Sequence, residues 1–169
     1  IGWKWWKKKQ PNTQQVHLEI VDIWHFGLSD LLQRELNTTR LAQEIAAVFL
    51  APPKIISQQE GEPTLLTYVE NLATKALADK AFCLSTFNQL LIAADFSHEA
   101  LFKQYVGKNI LNGFRQARGY LDGSYRKTWH DQREDNEHLS ELLDSLEIQD
   151  ANFALRLEEA LDERYRQCC

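Results

Sequence analysis

The sequence predicts an all-α fold, a helical bundle, from three observations. No segment sustains the period-two alternation of apolar and polar residues that a half-buried strand requires. Apolar residues recur instead at helical spacing, in blocks set off by capping residues, prolines and glycines. The length of 169 residues, 44% of them hydrophobic, is enough for one domain over 1–169 with a core such helices can share.

Each element has its own start and stop signals. Pro11-Asn12-Thr13 opens a helix over about 13–34, and Asn37-Thr38 caps a second that must end before Pro52-Pro53. Residues 51–62 read as a loop. Pro63 suits the first turn of a third helix reaching about Ala78, and a short fourth covers about 83–94. Ser97 can cap a fifth, which carries Leu101, Tyr105, Ile110, Leu111 and Phe114 at helical spacing. Four of the seven glycines fall between 107 and 123, so the pattern breaks from Gly119 to about Arg133. Two amphipathic helices follow, at about 134–145 and 151–166, and no segment repeats another.

Charge is segregated along the chain. The 24 acidic and 19 basic residues leave a formal net charge of −5, which disfavours a general nucleic-acid binder. Residues 103–127 hold six Lys or Arg against one Asp, whereas 131–163 hold twelve acids against two Arg. Any anion site must therefore be local. The three cysteines, Cys83, Cys168 and Cys169, form neither a disulfide framework nor a CxxC pair, which points to a reducing, cytoplasmic setting. There is no apolar run of 18 residues and no signal-peptide pattern, so no membrane partner is expected. With no Met and an Ile1-Gly2-Trp3 opening, the chain is expected to be an N-terminally incomplete piece.

Three groups of residues could carry chemistry. In the first helix Glu19, Asp22, His25 and Ser29 recur at three- and four-residue steps, making one polar stripe on a helix that is apolar almost all round. Ionised carboxylates among apolar neighbours are costly unless paired or bound to metal. The stripe therefore reads either as a salt bridge to another helix or as part of a divalent-cation site. The second group is a cationic cup. Lys108, Asn112 and Arg115 share a face, and the Asp122-Gly123 turn can return Tyr125 and Lys127 towards it. Arg offers a fork to phosphate, Lys a point charge, and Asn can read a base or sugar edge; a plain solvated basic face is the alternative. Third, Trp3-Lys4-Trp5-Trp6-Lys7-Lys8-Lys9 is aromatic and basic, suiting a nucleotide-stacking or core-anchoring role. No P-loop, GxGxxG, HExxH, GxSxG or zinc-spaced Cys and His set is present.

Taken in order, these blocks resemble the dimeric, all-α dUTP pyrophosphatases (dUTPases), within the wider all-α nucleoside triphosphate pyrophosphatase group. The matching stretches are Gly2-Trp3-Lys4-Trp5-Trp6-Lys7 and Glu19-Ile20-Val21-Asp22-Ile23-Trp24-His25-Phe26. They continue through Lys108-Asn109, Asn112, Arg115, Gly119-Tyr120, Gly123, Tyr125-x-Lys127-x-Trp129 and Glu134-Asp135-Asn136, spanning most of the chain.

The resemblance implies Mg²⁺-dependent hydrolysis of dUTP to dUMP and pyrophosphate by water attacking the α-phosphorus, which limits uracil in DNA. It implies dUDP as a further substrate and a homodimer, and an almost wholly apolar helix needs partners on every side. Glu19 and Asp22 would be the second pair of metal carboxylates, catalytic through the metal. His25 and Phe26 would lie near the deoxynucleoside, with Trp6 helping to form the pocket. Lys108, Asn109, Asn112, Arg115, Tyr120, Tyr125 and Lys127 would contact nucleotide and phosphates. The family's first pair, Glu-x-x-Glu, precedes its tryptophan block, so that pair and the general base are expected upstream of Ile1. The competing readings are a non-catalytic nucleotide-binding or protein-interaction helical module, and a pyrophosphatase for another nucleotide.

Overall fold

A computed structural model describes residues 13–52 and 64–168. Among these it has seven helices and no sheet, so the fold is all-α as expected. The helices are α1 (Thr13–Arg34), α2 (Thr38–Leu50), α3 (Leu65–Asp79), α4 (Leu84–Ala93), α5 (His98–Ala117), α6 (Asp135–Ser145) and α7 (Phe153–Cys168). No helix among the described residues is long and apolar enough to cross a membrane. By its internal contacts the chain divides into two compact units, residues 1–101 and 102–169.

Local chemistry explains the boundaries. Asn37 caps α2, its side chain accepting from the Arg40 N–H at 3.1 Å, and Ser97 Oγ accepts from the Ala100 N–H at 3.1 Å at the start of α5. α3 starts at Leu65 with Thr64 at its cap, and Pro63, expected in its first turn, lies outside the described residues. Lys80 ends α3 in the left-handed region, φ 50°, and Arg34 Nη2 donates to its carbonyl at 2.6 Å.

The first unit is built on aromatic packing. Trp24 of α1 stacks on Phe87 of α4 at 5.2 Å and lies 5.8 Å from Phe49 and 6.2 Å from Phe82. Ile20, Val21, Leu41, Leu72, Leu90, Leu91, Phe96 and Leu101 complete this core. Gly27 is required where α1 meets Phe82, because a Cβ there would enter the ring. The buried Asn88 amide is paired. Asn88 donates to the Val48 carbonyl at 3.1 Å and accepts from His98 Nε2 at 2.7 Å, while Phe49 stacks on the His98 ring at 4.2 Å.

The second unit closes α6 and α7 over the apolar side chains Leu111 and Phe114 of α5. Trp129, Leu139, Leu142, Leu143, Phe153, Leu157 and Leu161 are buried with them. Gly107 lets α5 approach Leu143, whose Cδ1 would lie 2.9 Å from an added Cβ. The connection between α5 and α6 turns at Gly119 and Gly123, with φ of 86° and 79°; a Cβ on Gly119 would also collide with Ser124 Oγ.

Candidate functional site

The candidate carboxylates, Glu19 and Asp22, both lie on α1 in the first unit. That helix buries Ile20, Val21, Trp24 and Gly27, and the 100° advance per residue then leaves Glu19, Asp22, His25 and Phe26 towards its flank and outer side. Glu19 is exposed and accepts from Gln15 Nε2 at 2.8 Å, while Asp22 is half-buried one turn further on. The two carboxylates thus line up along the helix instead of entering the core. They are hard oxygen donors of the kind a divalent cation takes, so they fit such an ion in kind. His25 is half-buried with its Nε2 enclosed, and its carbonyl accepts from Ser29 Oγ at 2.8 Å. The outer side is more open than an apolar helix suggests: Phe26 is 78% exposed, and Leu18 and Leu32 are exposed as well.

Phe26 borders an open apolar pocket of about 440 Å³ on the first unit, where Ile23, Val69, Leu72, Ala76 and Phe82 form much of the wall. Asp30, at its edge, accepts from Arg34 Nε at 2.8 Å and from the Phe82 N–H at 2.9 Å. These donors hold its carboxyl below the usual range, the Arg34 bond having the larger effect. Trp6, assigned to the pocket by resemblance, lies outside the described residues, as does most of the loop expected at 51–62.

The cationic candidate residues lie in the second unit and differ sharply in exposure. Arg115 is buried. Its guanidinium grips the fully buried Asp135 through two bonds, Nε to Oδ2 at 2.8 Å and Nη2 to Oδ1 at 2.7 Å. Tyr125 is buried too and donates its hydroxyl to the same Oδ2 at 2.9 Å, accepting in turn from Trp129 Nε1 at 3.2 Å. Burial pushes the Tyr125 hydroxyl well above the usual phenol value. Arg115 Nη1 also reaches Asn112 Oδ1 at 3.3 Å, fixing which way round that amide stands.

The remaining members stand nearer the surface. Asn109 and Lys127 are exposed, Lys108 is half-buried, and Tyr120 is exposed with Lys127 Nζ 5.4 Å from its ring centre. Arg115, Tyr125 and Asn112 are therefore brought together around one carboxylate, whereas Lys127 pairs with Tyr120 at the turn. Asp135 was quoted in the sequence without a role. Its one signal is an acidic residue at the start of α6.

A family model described as dUTPase matches residues 1–120. No curated protein matches the chain. The matched span includes the Glu19–Phe26 block and the cup as far as Tyr120.

Proposed function

Because the chain belongs to the all-α dUTPase family, we propose that it hydrolyses dUTP to dUMP and pyrophosphate with Mg²⁺, by attack of water on the α-phosphorus. The match over residues 1–120 carries this reading. The accessible carboxylate pair on α1 supports it.

Glu19 and Asp22 would hold the metal through their carboxylate oxygens. Bound there, Mg²⁺ supplies neutralising charge to the phosphate oxygens. The chain's own residues do the rest. Lys108 and Lys127 provide positive charge to the phosphates, and Asn109 and Asn112 offer hydrogen-bonding edges to the nucleoside. Tyr120 provides a ring for stacking at the turn. Arg115 and Tyr125 act differently from the lysines, because Asp135 neutralises the guanidinium and accepts the hydrogen bond of the Tyr125 hydroxyl. Their part is to hold Asn112 and the α5–α6 connection in place as much as to touch substrate. His25 and Phe26 would border the deoxynucleoside, the exposed Phe26 ring lying beside the open apolar pocket. The same proposal includes Trp6 at the pocket, dUDP as a second substrate, a homodimer that covers the exposed apolar side chains of α1, and a cytoplasmic location.

Pyrophosphate release by the full-length protein from dUTP, dCTP and dTTP, each with Mg²⁺, tests the reading. Turnover of dUTP at least ~100-fold above dCTP is expected, because a site that hydrogen-bonds the uracil edge leaves its polar groups unpaired against cytosine, and at least ~10-fold above dTTP, which differs only by a 5-methyl group the pocket must exclude. Equal turnover of all three would make it a pyrophosphatase without uracil selectivity. Tight dUTP binding with no turnover would make it a nucleotide-binding module.

A further inference from the structure

Asp131, His138 and Cys168 come from three different elements: the connection after α5, the first turn of α6 and the last residue of α7. One ligand-capable atom from each lies within 4.8 Å of the other two. Four contacts hold them there. The His130 N–H donates to the Cys168 carbonyl at 3.0 Å, tying the end of α7 to the residue beside Asp131. The His138 ring, 1% exposed, stacks on Trp129 at 4.3 Å with the planes 13° apart, which fixes its orientation. His138 Nε2 lies 3.2 Å from Asp131 Oδ2, and on the ring's other edge Nδ1 is 3.5 Å from Arg164 Nη1. A guanidinium can only donate, so Nδ1 accepts and the Nε2–H donates to Asp131.

We propose that Asp131, His138 and Cys168 bind a zinc-type divalent ion, a site made of different residues from the carboxylates on α1. The donor set decides the metal class. An imidazole nitrogen, a thiolate and a carboxylate oxygen together suit Zn²⁺, whereas Mg²⁺ takes an all-oxygen shell. Tetrahedral bonds of ~2.0–2.3 Å place neighbouring ligand atoms about 3.3–3.8 Å apart. His138 Nε2 and Asp131 Oδ2 already stand at that spacing, 3.2 Å apart, so the remaining contraction, at most about 1.5 Å, falls to the Cys168 side chain. On binding, the Cys168 thiol gives its proton to solvent and the imidazole proton moves from Nε2 to Nδ1. Arg164, already bonded to Glu141 at 2.9 Å, gives up its contact with that nitrogen. Three protein ligands leave the fourth position to water. A metal here joins α6, α7 and the connection between α5 and α6, so it should raise the melting temperature as any ligand of the folded state does.

Cobalt and zinc titrations of the protein in excess Mg²⁺ test this. The chain has three cysteines, so C83S and C169S together leave Cys168 as its one thiol. In that background, one equivalent of Co²⁺ should produce a thiolate charge-transfer band in the near ultraviolet, and adding Cys168→Ser should abolish it. Asp131→Asn should weaken Zn²⁺ by ~10-fold or more, since losing even an outer-shell partner costs ~10–100-fold. His138 stays unchanged because it is part of the packing against Trp129, and circular dichroism confirms that each variant folds. Absence of the cobalt band in the single-thiol protein, or Zn²⁺ affinity unaltered by Asp131→Asn, overturns the proposal.

Discussion

The two units treat carboxylates in opposite ways. In the first, Glu19 and Asp22 stay on the accessible flank of a helix whose inner face is filled by Trp24 and its aromatic neighbours. In the second, Asp135 is fully buried, with Arg115 and Tyr125 closed around it. A buried charge whose hydrogen bonds are made inside the core has little left for a ligand, and its removal is felt as lost stability. An accessible charge contributes little to stability and remains open to binding. Residues that look alike in sequence as candidate site residues are thereby divided into those that build the unit and those left accessible to a ligand.

Asp135→Asn should break the comparison most severely. It leaves the Arg115 guanidinium buried without its counter-charge, so a loss of ~3–5 kcal/mol in urea unfolding is expected. A loss below 1 kcal/mol would mean that the network is not closed as described. Glu19→Ala and Asp22→Ala should show the converse: dUTP turnover lower by ~10²–10³-fold, the usual cost of removing one charge-stabilising group, with stability changed by less than ~0.5 kcal/mol. Full activity in either variant removes that residue from the metal site.

Gly27→Ala probes the aromatic unit alone. Alanine gains ~1 kcal/mol of helix propensity but drives a methyl group into the Phe82 ring, where overpacking costs ~1–3 kcal/mol. A net loss of ~1 kcal/mol is expected, recovered when Phe82→Leu is added; thermal melts of the single and double variants decide it.

The smallest effect is an acid one. Glu141 accepts from Arg133 at 2.5 Å and from Arg164 at 2.9 Å, which lowers its carboxyl from 4.5 to about 2. Its folded value is depressed, so its contribution is present above pH 4.5 and is lost as pH falls through about 2. Glu141→Gln should flatten the acid limb of the stability profile between those values, slightly and only at low salt, because the side chain is exposed. An unchanged profile would show these ion pairs to be without effect.

Helix boundaries were legible because caps act over three residues: Asn37 and Ser97 could be read as they stand. The carboxylate stripe was legible for the same reason, since helical periodicity alone aligns Glu19 with Asp22. The cup was legible as composition but not as geometry. Lys108, Asn112 and Arg115 share a face, yet nothing local says that Arg115 turns inward to a partner twenty residues later while Lys127 stays outside. The cluster of Asp131, His138 and Cys168 left no mark, because its spacing belongs to no metal motif.

By itself, then, the sequence determined the all-α class, the order of the helices, the polar stripe on α1 and the resemblance through which the family could be named. Each depends on interactions within a few residues or on motifs read along the chain. Only the tertiary structure decided which charges are neutralised internally. It alone placed the open apolar pocket beside Phe26 and brought a thiol, an imidazole and a carboxylate within reach of one ion. Burial and long-range pairing set these outcomes, and both depend on packing between distant segments that no local pattern encodes.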